Sequence, residues 1–413
     1  MMGFPSQKNP MGWSMADAYE VGLSGRTVAR LFAKGDHVWL EWDEGYWEEH
    51  NHPVLGLCFE HNRAGRVSSA LRLPPWFSNL LPEGKLRAWV ARDAGVNEQR
   101  EMQLLAHLGG SLPGAVTVAP CDGAPTAAPP SPEPTSSSTT AQPIRFSLAG
   151  VALKFSMLQQ GDRLTLPAHD TQGEWIVKLP DDTHPHVPEN EYATMLMARD
   201  CGIEIPEIRL IHRDQLELPP SVWPARQEWA YAIRRFDREG QRRIHIEDLA
   251  QVRGFYPDDK YKGTFDTVAA LIYRDRDIAS YLEFVRRLFF SFAVGNGDMH
   301  LKNTSLIYRN PRNPVISPAY DLLCTAPYRD DPLSEDLGLK LSRSRRFAEV
   351  TPRSFELLAD RVGAPVPETM QVVSETATRL EQAWSSFADL MAVLPTHQRW
   401  LAERLPRVSR QFA

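Results

Sequence analysis

The residues best suited to chemistry lie between Val294 and Asp321, a stretch that begins VGNGDMHLKN and ends SPAYD. Asp298 is followed five positions later by Asn303, and a second acid, Asp321, comes after a turn-rich insert. Transfer of a phosphoryl group from a nucleotide to a hydroxyl needs this trio. One carboxylate accepts or orients the hydroxyl proton. An amide oxygen and a second carboxylate hold magnesium against the phosphates. The segment is expected to fold as a loop bearing Asp298, a hairpin, and a turn bearing Asp321. The plainer alternative is an ordinary turn with surface or capping acids, since Asp, Asn and Gly crowd turns. What lies upstream decides between the two.

Upstream, IRFSLAGVALKFSML predicts a strand, a tight turn at Ala149-Gly150 and a second strand. A small Ala-Gly turn lets backbone N–H groups approach an anion, and Lys154 adds charge. By itself a single Gly in a hairpin is a weak signal, and there is no Walker A loop. EWIVKLP predicts an apolar strand with one central charge, Lys178. A Lys in that position is either an edge-strand charge or a phosphate ligand. PENEYATMLMARDCG predicts a helix from near Glu189, with Tyr192, Met195, Leu196 and Arg199 on one face and Gly202 at its end. Its Glu191 either pairs with Lys178 or simply suits the helix dipole. WAYAIRRFDR predicts another strand. The D-x-x-x-x-N spacing and this order of hairpin, Lys strand, Glu helix and strand are those of a protein kinase. His300 and Lys302 flank Asp298, and His300 reads equally well as a hydrogen-bonding scaffold residue.

Beyond residue 245 the pattern is mainly helical. IHIEDLAQVRGF, FDTVAALIYR and YLEFVRRLFFSFAVGN carry apolar residues at helical spacing. Leu282, Val285, Leu288, Phe289 and Phe292 form a broad stripe on the last of these, which delivers Asn296 and Asp298 at its end. A long helix is expected from near Glu368 to Met391. Before all this, residues 1–118 read as a small α+β module of short strands and two helices, with PVLGLCFEHN as a further strand. Residues 119–143 (APCDGAPTAAPPSPEPTSSSTTAQP) are almost all Pro, Ala, Ser and Thr. Such a composition buries too little surface to offset its ordering entropy, so a linker is expected. It leaves the docking of the first module unspecified. The kinase-like part then divides into residues 144–240 and a helical lobe, residues 241–413.

At 413 residues, 42% hydrophobic and 24% charged, the chain is long enough for two or three domains with a large core. Formal net charge of −6 and a pI near 6.1 give no reason to expect direct sequence-specific nucleic-acid binding. Cys58, Cys121, Cys201 and Cys324 are scattered singly, which points to reduced thiols in a cytoplasmic compartment. The N-terminus has no signal-peptide pattern, and no apolar run is long enough for a membrane span.

Taken together, LPPWFSNLLPEG, FSLAG followed by Lys154, WIVKLP, NEY, AIRRFDR, GNGDMHLKN and AYD occur in the order found in the HipA family. These are the Ser/Thr kinase toxins of bacterial toxin–antitoxin pairs, and the chain resembles them over nearly its whole length. The resemblance implies an α+β, two-lobed atypical protein-kinase-like fold with an added N-terminal subdomain. It implies ATP and Mg²⁺ as ligands. Asp298 falls on the family's proton-accepting Asp, and Asn303 and Asp321 on its metal-site residues. ATP contacts are implied for Ala149, Gly150, Val151, Ala152, Leu153, Lys154, Lys178, Arg234, Arg235, Phe236, His300, Lys302, Asn303, Tyr320 and Asp321. Ser147 falls on the serine that these kinases autophosphorylate to switch themselves off. The implied substrate is an aminoacyl-tRNA synthetase such as the glutamyl enzyme, and the implied partner a HipB-like helix-turn-helix antitoxin that binds operator DNA. The sequence departs from the family at Val151-Ala152-Leu153, where a polar pair is usual, and at Arg234, where an acid is common. Two rivals remain: an aminoglycoside-type small-molecule phosphotransferase, and a catalytically silent partner-binding module.

Overall fold

The computed structural model describes residues 17–63, 65–122, 154–161, 163–165, 173–218, 223 and 227–412. The expectations for Ser147 and for Ala149 to Leu153 lie outside the described residues, as does most of the expected linker. The chain has an α+β, protein-kinase-like fold with an N-terminal subdomain.

The subdomain is built on an antiparallel sheet of five strands: β1 (Asp17–Leu23), β2 (Arg26–Lys34), β3 (His37–Trp42), β4 (Val67–Ala70) and β5 (Val116–Cys121), in the order β4-β3-β2-β1-β5. Ser24 and Gly25 join β1 to β2 with φ of 53° and 82°. A two-residue turn with both φ positive matches the twist of the strands it connects. Two sequence expectations change here. PVLGLCFEHN is no strand: Leu57–Glu60 is a single helical turn that buries Leu57 and Phe59. Four residues around Gly56 are too few for periodicity to decide. The linker also starts later than expected, because Ala119 to Cys121 pair with β1. Pairing uses backbone groups, which composition does not report.

The small lobe carries a second sheet of β6 (Lys154–Gln160), β7 (Arg163–Thr165), β8 (Trp175–Lys178), β9 (Ile208–His212), β10 (Leu216–Glu217) and β11 (Trp229–Arg234). Its order is β10-β7-β6-β8-β11-β9. β8 therefore lies inside the sheet, between β6 and β11. That removes the edge-strand explanation for Lys178. The helix Val187–Asp200 packs against the sheet, and Gly202 follows its end at φ 86°.

The large lobe is organised around the helix Ile278–Ala293, capped by Asp277, whose carboxylate accepts from Ser280 N–H at 3.0 Å. Tyr281, Phe284, Val285, Leu288, Phe289 and Phe292 are buried in one core with residues of the helices Phe265–Ile272, Pro352–Val362, Val366–Phe387 and Pro395–Phe412. IHIEDLAQVRGF is not one helix. His245–Asp248 is a strand paired with Ser305–Tyr308, and only Leu249–Val252 is helical. Residues 245 and 247 are buried while 246 and 248 are not, a period of two. Asp248 and Gln251 then form a reciprocal capping box. Among the described residues no helix is long and apolar enough to cross a membrane, and the four cysteines are free thiols.

The subdomain is docked, contrary to what the linker's composition left open. Buried Glu247 accepts hydrogen bonds from Leu57 N–H at 3.1 Å, from Trp76 Nε1–H at 3.2 Å and from the Tyr308 hydroxyl. Arg238 and Arg243 donate to the carbonyls of Leu112 and Gly114 at 2.8–3.0 Å. Trp89 meets Phe155 of β6 edge to face, with centroids 5.6 Å apart. Burial pushes the Glu247 carboxyl from 4.5 up to about 7 against its three donors. The native state thus holds this proton more tightly than the unfolded chain does. Stability from this group is full below pH 4.5 and is lost as pH rises through 7. Urea titrations between pH 5 and 8 should show a falling midpoint, and Glu247→Gln should flatten that slope.

Candidate active site

The helix Ile278–Ala293 ends at Gly295, whose φ is 69°. A Cβ there would sit 2.2 Å from the Trp400 ring, so the turn needs Gly for both conformation and space. Asn296 Oδ1 accepts from Asp298 N–H at 2.9 Å, and Thr325 Oγ1 accepts from Gly297 N–H at 2.8 Å. Asn303 Nδ2 donates to the Asp298 carbonyl at 2.8 Å, closing the loop on itself. The hairpin Ser305–Tyr308 and Val315–Ile316 follows, then the turn at Tyr320-Asp321. The loop, hairpin and turn are thus present in the expected order.

Asp321 adopts φ 56°, a costly conformation for a residue with a Cβ. Its carboxylate forms an ion pair with Lys178 of β8, and Lys178 pairs in turn with Glu191. Lys154 Nζ lies 3.6 Å from Asp321 Oδ2. Lys154 and Lys178 are directly opposite each other in β6 and β8. Burial alone would raise the Asp321 pKa, but Lys154 and Lys178 hold it well below the carboxylate range. Burial raises Glu191, which shares its lysine with a second acid. Lys178 is held above its ordinary value by Asp321 and Glu191, against the effect of burial. Lys178 thus stays cationic and Asp321 anionic.

Burial pushes His300 down to about 4, so the ring is neutral at neutral pH. Its Nε2 is 3.8 Å from Asp298 Oδ1. Both His300 ring nitrogens and Asn296 Nδ2 are buried without a hydrogen-bond partner. Buried polar atoms left unpaired cost free energy unless a ligand or water meets them. Among the described residues no group of three His, Cys, Asp or Glu side chains converges to hold a metal. Two oxygen donors completed by phosphates suit Mg²⁺ rather than a permanent metal.

The remaining expected residues take different places. Phe236 packs on Tyr320 with centroids 5.7 Å apart, and the Tyr320 hydroxyl donates to the Lys302 carbonyl at 3.0 Å. Arg234 is exposed, with its guanidinium 3.5 Å from Glu207. Arg235 is turned to Asp237 at 2.7 and 2.9 Å. The Lys302 ammonium donates to both oxygens of Asn79, at 3.1 and 3.0 Å, and pairs with Glu83 at 3.3 Å and Asp248 at 3.5 Å. Three residues were given no role of their own in the sequence reading. Asn190 clamps Cys324, its Nδ2 donating to the carbonyl and its Oδ1 accepting from the amide, at 2.8 and 3.1 Å. Glu83 ties the subdomain to Lys302 and, at 2.9 Å, to Lys260. Tyr261 donates its hydroxyl to Asp298 Oδ1. Asn190 and Glu83 lie in the NEY and LPPWFSNLLPEG motifs, while Tyr261 had no signal in the sequence.

A sheet lysine ion-paired to a helix glutamate, beside a loop and turn bearing Asp298, Asn303 and Asp321, defines a kinase-like site. The HipA-like C-terminal domain family matches residues 146–384, and the HipA N-terminal domain family matches residues 19–119. The chain belongs to the HipA-like kinase family. It is 41% identical over 376 residues to a Sinorhizobium fredii protein named "Putative kinase Y4dM", covering 89% of this chain and 91% of that one. It is 25% identical over 244 residues to the serine/threonine-protein kinase toxin HipA of Shewanella oneidensis, covering 53% of this chain and 51% of that one. Its fold matches HipA in the Shewanella oneidensis complex of HipA, HipB and operator DNA, with a TM-score of 0.72 at 20% identity over 95% of this chain and 96% of that one.

Replacing Lys178 with Met leaves Glu191 and Asp321 buried with one cation fewer. The variant should lose about 3–5 kcal/mol of stability at pH 7. Glu191, already raised by burial, then loses its main compensating cation and titrates still further above its unfolded value, so part of the loss should return as pH falls to about 5. Chemical denaturation at the two pH values checks this.

Proposed function

We propose that the chain is an ATP-dependent Ser/Thr protein kinase of the HipA type, the toxin of a toxin–antitoxin pair. The convergence of Lys178, Glu191 and Asp321 across the two lobes carries this reading. Lys178 and Lys154 would hold the nucleotide phosphates. Asn303 and Asp321 would hold Mg²⁺, which when bound neutralises charge on the phosphate oxygens. His300, neutral and unpaired, offers a ring N–H to a phosphate oxygen. Asp298 orients the substrate hydroxyl and accepts its proton. Phe236, just after β11, and Tyr320 pack ring to ring beside Asp321 and would flank the nucleotide. Positioning and charge neutralisation supply most of the rate.

The substrate is proposed to be an aminoacyl-tRNA synthetase, and the partner a HipB-like helix-turn-helix antitoxin that brings the pair to operator DNA. The fold match to HipA in its HipB–DNA complex supports the partner. The family membership supports the substrate class. The protein is proposed to act in the cytoplasm.

Asp298→Ala should reduce transfer from labelled ATP into lysate proteins to about one hundredth or less, with an unchanged thermal midpoint. A near-native rate would exclude the role of Asp298. Autophosphorylation at Ser147 is proposed as the off-switch. Intact-mass spectrometry after Mg-ATP should show added phosphate that disappears in Ser147→Ala, and its persistence would exclude that serine.

A further inference from the structure

Tyr261 belongs to the segment Tyr256 to Gly263, between the helical turn Leu249–Val252 and the helix Phe265–Ile272. Nothing in its sequence context marks it as part of a site. In the structure its hydroxyl donates to Asp298 Oδ1, and its ring meets His300 edge to face, with centroids 4.9 Å apart at 81°. We propose that Tyr261 is a positioning residue for phosphoryl transfer, fixing the rotation of the Asp298 carboxylate through this bond. The proposal rests on the kinase reading above.

A hydroxyl donor on one oxygen restricts rotation of a carboxylate about its Cβ–Cγ bond. With Oδ1 held, the plane of the group is set and Oδ2 is presented in one direction. Catalysis is sensitive to such alignment, since a small misplacement of the acceptor costs much of the benefit of proximity. The phenol suits the task because it donates without carrying charge into a buried site. It also adds no second negative group beside Asp298 and Asp321.

A hydroxyl on this carboxylate could instead occupy the place of the substrate's own hydroxyl and have to leave. The anchoring of the segment argues against that. Leu301 N–H donates to the Lys260 carbonyl at 3.1 Å, so the segment is bonded to the catalytic loop itself. Lys260 Nζ is 2.9 Å from Glu83 of the N-terminal subdomain. Arg345 donates to the Tyr261 carbonyl. Downstream, Thr264 caps the next helix through Thr267 N–H at 3.1 Å. The tyrosine is therefore held on both sides by bonds that opening would break, and it moves with the loop it braces.

Tyr261→Phe removes only the hydroxyl and keeps the ring on His300 and the Arg345 bond to the backbone. The assay is transfer from γ-labelled Mg-ATP into lysate proteins, with a fluorescent ATP analogue to read nucleotide affinity. kcat should fall about tenfold to a hundredfold, while KM for ATP and analogue affinity stay within about twofold. A kcat equal to wild type would overturn the proposal. A kcat above wild type would also overturn it, and would mean that the phenol blocks the acceptor's place. Loss of analogue affinity in step with kcat would reduce Tyr261 to a structural part of the nucleotide cleft and overturn it too. If the wild type binds the analogue but transfers no phosphate, the kinase reading falls and takes this proposal with it. A full-rate Phe variant beside an active wild type removes this proposal alone.

Discussion

Two lysines facing each other across neighbouring strands repel, and the small lobe places Lys154 and Lys178 in that register. Like charges directly opposite are unfavourable in a sheet, and partial burial deepens the cost. Asp321 relieves it from the other lobe, and Glu191 from the helix behind. The sheet is therefore charge-balanced only when the large lobe brings its turn into place. This links the relative position of the lobes to the electrostatics of the site. The Asn190–Cys324 clamp acts in the same direction, joining the Glu191 helix to the backbone three residues after Asp321. The strained φ of Asp321 persists because several such bonds over-determine the turn.

The N-terminal subdomain is part of this frame. It reaches the loop that carries Asp298 through Asn79 and Glu83, both bonded to Lys302, and the hairpin that follows β11 through the carbonyls of Leu112 and Gly114, which Arg238 and Arg243 grip. Asp237 lies at the centre of this cluster. Burial opposes its charge, but Arg235 and Arg238 hold it ionised. The subdomain thus braces the loop that carries Asp298 and the Asp237 cluster that follows β11.

Much of the site was legible in the sequence because its residues sit on short motifs with fixed spacing. Asp298, Asn303 and Asp321 were found from the loop and turn chemistry, and Lys178 from being the one charge in an apolar strand. Whether Lys178 lay at an edge was not legible, since strand order is set by long-range pairing of β6, β8 and β11. Neither was Tyr261, whose partner lies 37 residues away in an unrelated element. The same limit hid the partners of Glu83 and the docking of the subdomain, where most partner residues are separated by well over a hundred positions. The strand at His245–Asp248 was misread for a local reason. A four-residue strand followed at once by a four-residue helix gives neither period room to declare itself, although the Asp248…Gln251 capping pair was there to be seen.

The first sheet ends at Cys121 and the second begins at Lys154, and among the described residues the two bodies are joined by side chains of folded elements, Trp76 on Glu247 and Asn79 on Lys302 among them. These bonds fix how the bodies fit. Substitutions at Asn79, Glu83 or Trp76 would therefore alter the joint itself, and with it the seat of Lys302 and Glu247.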